Sequence, residues 1–132
     1  MSPFYPALQV DVTGWLIDQL DAALSATVDS DTPDDLQAVV PFVRVVRAGG
    51  PDDNHVLDIP TVVFHCFALT EQEANQLGYA TAAAVRALRG APAGGAVVTQ
   101  TRMLSGPAWD GYVNTNVRQS VLTMQIRIKT TF

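Results

Sequence analysis

The segment from Ile59 to Gly90 constrains the fold of this 132-residue chain more than any other. Its first part, Ile59–Ala68, is rich in Val and Phe, which is typical of a strand buried on both faces. Thr70 and Glu73 then have the spacing of a capping box, and apolar residues recur at helical intervals up to Gly90, a residue suited to a left-handed helix end. The sequence therefore predicts a buried strand that leads directly into an amphipathic helix.

Hydrophobic periodicity predicts one more helix and three more strands. The helix covers Asp11–Ala26, where apolar residues recur every three or four positions. The strands are predicted at Val39–Arg47, Ala96–Ser105 and Val117–Thr131. Residues 1–10 contain two prolines and are predicted to form an extended arm. Turn-forming residues predict loops at Thr27–Ala38, Ala48–Asp58 and Gly106–Asn116.

These elements predict one α+β domain that spans residues 1–132. Their order is helix, strand, strand, helix, strand, strand. Two hairpins, each preceded by a helix, would form a four-stranded sheet that is antiparallel or mixed. Both helices would then pack on the same face of the sheet.

Charge is distributed unevenly along the chain, which has a net charge of −5. Residues 1–43 contain aspartates but no Lys or Arg, whereas the charged residues after Gly111 are all basic. This separation suits head-to-tail association of subunits; internal pairing of the same groups, or a solvated face, fits it equally well. The acidic balance argues against duplex DNA binding through a basic patch. Arg86 and Arg89, at the end of the central helix, suit the helix dipole.

Residues with catalytic or metal-binding chemistry are few and poorly spaced. Cys66 is the single cysteine, and it cannot pair with its neighbour His65 because adjacent strand residues point to opposite faces. The aspartates of the Thr27–Ala38 loop lack the glycine and the glutamate of a calcium loop. We therefore expect no enzyme activity, no cofactor and no metal. The chain shows no secretion signal and no membrane-spanning run, so synthesis in a cytoplasm is expected.

Aromatic residues in the predicted loop and arm are candidates for contacts with other proteins. Trp109 and Tyr112 lie in the Gly106–Asn116 segment, and Phe4 and Tyr5 lie in the N-terminal arm. Such residues either pack back on the domain or serve as interface anchors. The candidate interface residues are Trp109, Tyr112, Phe4, Tyr5, Arg118, Arg127 and Lys129.

Three parts of the sequence together resemble the tail terminator (tail completion) proteins of long-tailed bacteriophages, especially phages of actinobacteria. The first is the N-terminal helix followed by Pro41–Arg47 and a Gly-rich turn. The second is Ile59–Ala68 followed by the helix Glu73–Leu88. The third is Ser105-Gly106-Pro107-x-Trp109 and a tyrosine ahead of the last strand. The resemblance extends over nearly the whole chain.

That resemblance implies a hexameric ring that caps the tail tube, ends its polymerisation and contacts the head–tail connector. It places the protein in the virion, at the head-proximal end of the tail, with the host cytoplasm as the site of assembly. The implied partners are further copies of the chain, the tail tube protein and the connector protein. DNA would pass through an acidic lumen without specific binding. The candidate lumen residues are Asp29, Asp31, Asp34 and Asp35, or Asp52 and Asp53.

Three other interpretations remain open at this point. Neck or head-completion proteins of phages have a similar size. A small α+β enzyme or ligand-binding domain would need a polar pocket, for which the sequence offers no residues. A toxin-like or regulatory interaction module is the third. A stable monomer with a bound metabolite would favour the ligand-binding class, whereas a hexamer favours the tail terminator.

Overall fold

The structure is a computed structural model that describes residues 12–48, 52–54, 57–92, 96–110 and 117–130. For residues 12, 52–54, 57, 58, 96, 109, 110 and 130 it describes the backbone only. The helices are α1 (Val12–Ala23), α2 (Leu36–Val39) and α3 (Glu71–Arg86). The strands are β1 (Thr27–Asp29), β2 (Phe42–Arg47), β3 (Asp52–Asn54), β4 (Leu57–Asp58), β5 (Thr61–Ala68), β6 (Ala96–Asp110) and β7 (Arg118–Thr130).

The described strands form one mixed sheet in the order β1-β2-β5-β7-β6. β1 runs parallel to β2, and the other neighbours are antiparallel. The hairpin of β3 and β4 continues the β2–β5 hairpin at its tip. β4 and β5 pair with β7 in a single register, because Leu57 faces Lys129 and Thr61 faces Gln125. The sheet is therefore five strands wide.

The strand-to-helix unit of β5 and α3 confirms the prediction for Ile59–Gly90. Thr70 adopts an extended conformation ahead of α3, and its hydroxyl accepts a hydrogen bond from the Glu73 amide at 3.2 Å. Gly90 has a φ of 86°, which is the left-handed conformation expected at the end of this segment. Local sequence chemistry thus sets the start of the helix, whereas the helix ends at Arg86 with Ala87 as its C-cap, ahead of Gly90.

The two long helices lie on the same face of the sheet, as predicted. Leu16 and Leu20 of α1 and Val85 of α3 share a single buried core with Phe64 of β5. The strands supply most of the remaining core side chains, which are Val43, Val45, Val62, Cys66, Val98, Leu122, Met124, Ile126 and Ile128. The predicted alternation of β7, with apolar residues on one face, is confirmed by this set.

The opposite face of the sheet, which we call the open face, carries neither long helix. On β5, Phe64 and Cys66 are fully buried, whereas Val63 and His65, which alternate with them, are only half-buried. The prediction that β5 is buried on both faces is therefore wrong for the open face. In the part of the chain that the structure describes, one end of this face is covered, where Leu36 of α2 packs in a separate cluster with Phe42, Phe67 and Val117.

The predicted element order and strand count are wrong at three places. Thr27–Ala38, predicted as a loop, contains β1 and the start of α2, because Val28 and Leu36 are both buried. The Ala48–Asp58 segment, predicted as turns, contains β3 and β4. The sheet gains an edge strand from the first change, so five strands replace the four expected.

The third difference is the length of β6, which continues to Asp110 rather than ending at Ser105. Register shifts on either side of Ser105 absorb the extra residues of this stretch. Pro107 lies at such an irregularity, where no ladder hydrogen bond is required of it. It also packs closely on α3, since a Cβ added at Gly78 would lie 2.9 Å from the Cβ of Pro107.

Candidate assembly surfaces

The residues with potential catalytic chemistry have structural contacts. The His65 Nδ1 lies 3.0 Å from Gln119 Oε1, and the imidazole stacks on the Phe67 ring. Cys66 Sγ lies 3.7 Å from Thr81 Oγ1 in the main core. Within the described ranges, no group of three or more His, Cys, Asp or Glu side chains is placed to hold a metal.

Burial makes the Cys66 thiol unreactive. Desolvation raises its pKa to about 12, and the hydrogen bond with Thr81 opposes this only in part. We expect a thiol reagent at pH 8 to label Cys66 only after the protein is unfolded. Ionisation of Cys66 does not change the free energy of unfolding below pH 9, because the thiol is protonated in both states. Between pH 9 and pH 12 only the unfolded thiol ionises, so the free energy of unfolding falls as the pH rises.

The measurement is the labelling rate with and without denaturant, together with urea unfolding of the wild type and Cys66→Ala across this pH range. The difference between the two proteins isolates the thiol from other groups that titrate at high pH. Rapid labelling of the native protein would show that the core around Cys66 opens readily.

An acidic segment lies along the β1 edge of the sheet. We call residues 29–35 the Asp loop; the carboxylates of Asp29, Asp31, Asp34 and Asp35 are all exposed. Asp29 Oδ1 accepts a local hydrogen bond from the Ser30 amide at 2.7 Å, and Asp35 precedes α2 without a side-chain cap hydrogen bond. The predicted acids of this segment are thus brought together on the surface.

A basic segment lies at the opposite edge, between the end of α3 and β6. Arg86, Arg89, Thr99, Gln100 and Thr101 line an open, polar cavity of about 540 Å³, which we call the arginine cavity. Both arginines are exposed, and Arg86 Nη2 lies 3.9 Å from Met103 Sδ. In sequence, the two arginines are explained by the helix dipole alone, and only the position of α3 beside β6 reveals this cavity.

The predicted basic residues of β7 do not form one cluster. Arg118 and Arg127 are about 30 Å apart along the strand, at roughly 3.3 Å per residue. Arg127 and Lys129 are exposed near one end, whereas Arg118 is half-buried at the other and has a contact there. Arg102 of β6, which pairs with Gln125, adds an exposed charge to the Arg127 end.

Several predicted site residues lie outside the described residues or are described in part. Phe4, Tyr5 and Tyr112 lie outside them. Trp109 belongs to β6 and its backbone pairs with Ser120, so the prediction that it lies in a loop is wrong. Asp52 and Asp53 belong to β3, and their backbone alone is described.

Within the described residues, the Asp loop and the arginine cavity do not pair with each other. No ion pair there involves Arg86, Arg89 or the carboxylates of the Asp loop. The two charged segments occupy opposite edges of a five-stranded sheet, and four strand spacings of about 4.8 Å separate β1 from β6 by roughly 19 Å. That distance is several times the reach of a salt bridge.

An apolar groove lies between the end of α1 and the start of α3. Its volume is about 450 Å³, and its apolar lining includes Leu24, Pro41, Leu69 and Leu77. Leu69 is 54% exposed at its rim. The groove brings together no pair of ionisable side chains with acid–base geometry, since Glu73 is the sole charged residue of its lining.

Comparisons with known proteins identify the fold. No family model and no curated protein sequence matches this chain. A chain from a solved structure described as the virion of a native gene transfer agent particle is similar, with a TM-score of 0.64 and 18% sequence identity. The similarity covers 95% of this chain and 98% of that chain. No helix among the described residues is long and apolar enough to cross a membrane. The chain therefore shares its α+β fold with that virion chain.

Proposed function

We propose that this chain is a structural virion protein that forms a hexameric ring on the end of a phage tail tube. The ring would stop tube polymerisation and offer its other side to the head–tail connector. The observation that carries the proposal is the fold shared with a virion chain over nearly the full length of both proteins.

The charge layout also supports assembly from identical copies. The Asp loop and the arginine cavity lie at opposite edges of the sheet and have no partner for their charges within the described chain. Complementary patches at two different places on a subunit produce head-to-tail contacts, which close into a ring when the rotation between subunits permits. The proposed role needs no catalytic step.

The net negative charge of the protein also supports a ring through which DNA passes. With a net charge of −5, a ring of six copies would repel the phosphate backbone rather than hold it. DNA could then pass through without specific binding. Exposed aspartates that do not contact a neighbouring copy are candidates for the lumen.

Tail tube polymerisation provides the test. The tail tube protein of the same particle is polymerised with and without this protein, and tube lengths are measured by negative-stain electron microscopy. We expect shorter tubes with a ring at one end. An unchanged length distribution with bare ends would contradict the proposal, and binding to the head connector without any effect on tubes would indicate a neck protein instead.

A further inference from the structure

The arginine cavity has the chemistry of a carboxylate-binding site. Arg86 and Arg89, which are both exposed, line it together with Thr99, Gln100 and Thr101 of β6. A guanidinium group binds a carboxylate through paired, charge-assisted hydrogen bonds. The cavity is open enough, at about 540 Å³, to admit several side chains rather than one small anion.

The Asp loop has the matching composition. Its carboxylates are exposed, and within the described residues their one hydrogen bond is the local contact in which Asp29 accepts from the Ser30 amide. The loop is held at its base, where Arg44 Nε donates to the Ser30 carbonyl oxygen at 3.1 Å. Val28 and Leu36 anchor its two ends in the protein interior. The structure thus presents a cluster of negative charge on a fixed support.

The two segments of one chain cannot meet, because the width of the sheet keeps them roughly 19 Å apart. A second copy of the chain removes this obstacle. We propose that the arginine cavity of one copy binds the Asp loop of the next copy. Each added copy leaves one cavity and one loop available, so the contact repeats until a ring closes.

This inference rests on the proposed ring and identifies its subunit interface. It assigns Asp31 and Asp34 to the contact with the neighbouring copy, in place of the lumen role expected from the sequence. It also assigns the basic side of the contact to Arg86 and Arg89 at the end of α3, instead of the basic residues of β7.

Two charge-reversal variants test the contact. One carries Arg86→Glu and Arg89→Glu, and the other carries Asp31→Lys and Asp34→Lys. Each variant brings like charges together at every interface, and we expect its self-association to weaken by about a hundredfold or more. Sedimentation velocity over a concentration series at low salt measures this, and circular dichroism confirms that each variant is folded.

An equal mixture of the two variants gives the decisive experiment. The acidic cavity of the first variant is complementary to the basic loop of the second variant. The unchanged Asp loop of the first variant is likewise complementary to the unchanged arginine cavity of the second. We therefore expect the mixture to assemble as the wild type does, in rings that alternate the two variants. A control variant, Asp18→Lys with Asp21→Lys, changes the net charge equally on the exposed side of α1 and should assemble normally.

Cysteine cross-linking detects the same contact even when association is weak. Thr32→Cys is placed in the Asp loop and Gln100→Cys in the arginine cavity, and both leave the charges intact. Under mild oxidation, a mixture of the two should give a heterodimer, whereas Asp21→Cys mixed with Gln100→Cys should not. Buried Cys66 contributes no background.

The outcomes separate this inference from the proposed function. Wild-type rings that survive both charge reversals, or a mixture that fails to recover assembly, would overturn the interface and leave the ring itself standing. A wild-type chain that stays monomeric, gives no cross-linked heterodimer and leaves tube growth unchanged would contradict both.

Discussion

Phe64→Ala is expected to lower the free energy of unfolding by about 3–5 kcal/mol, the range for removing a large aromatic side chain from a well-packed core. Phe64 is fully buried at the centre of β5, beneath the two long helices. Domains of this size are stable by only about 5–15 kcal/mol, so the loss is a large part of the total stability. Urea denaturation followed by circular dichroism measures the loss.

Val63→Ala is the matched control for this prediction. Val63 is the preceding residue on the same strand, but it lies on the open face and is only half-buried. We expect a loss of about 1 kcal/mol, because fewer contacts are removed and the neighbouring side chains can adjust. Equal losses at the two positions would contradict a sheet whose helices cover one face.

Trp109→Ala combined with Tyr112→Ala is expected to impair assembly while leaving the circular dichroism spectrum unchanged. Central aromatic anchors account for about 2–4 kcal/mol of binding free energy in many interfaces, so subunit association should weaken by roughly 30-fold to 1,000-fold. Sedimentation velocity of the purified variant measures the change. Trp109 lies near the end of β6, an edge strand of the described sheet.

Leu104→Ala is a suitable control, since Leu104 is a 46% exposed apolar residue of the same strand. Its truncation should leave both fold and association nearly unchanged. If the Trp109 and Tyr112 substitutions unfold the protein instead, both side chains belong to the core and the interface role is wrong.

The sequence predicts the parts of the fold that depend on local chemistry. The capping residue Thr70, the apolar face of α3 and the alternation of β7 are all readable within a few residues of the chain. The strand predicted from Val39 begins at Phe42, directly after Pro41, which cannot donate to a ladder. These features need no knowledge of distant segments.

The elements that escape prediction are those stabilised by tertiary contacts. β1 is three residues long, too short for a periodic pattern, and it forms because Val28 is buried beside β2. The end of β6 contains Gly106 and Pro107, which read as a loop until the bulges and the contact with Gly78 are known. Local propensity is overridden at both places.

The candidate surfaces show the same division. The Asp loop is visible in the sequence because its acids are consecutive or nearly so. The arginine cavity is not, because its two arginines are separated in the sequence from Thr99, Gln100 and Thr101 and meet them only when α3 packs beside β6. Charge separation along the chain therefore predicts head-to-tail association through β7, whereas the inferred contact uses the arginine cavity at the end of α3.

Electron cryomicroscopy of tail tubes capped by this protein tests the central claim most directly. We predict six copies in a closed ring, with the β1 edge and Asp loop of each copy facing the β6 edge and arginine cavity of the next. A single copy at the tube end, or pairs of copies related by a two-fold axis through identical surfaces, would contradict the account.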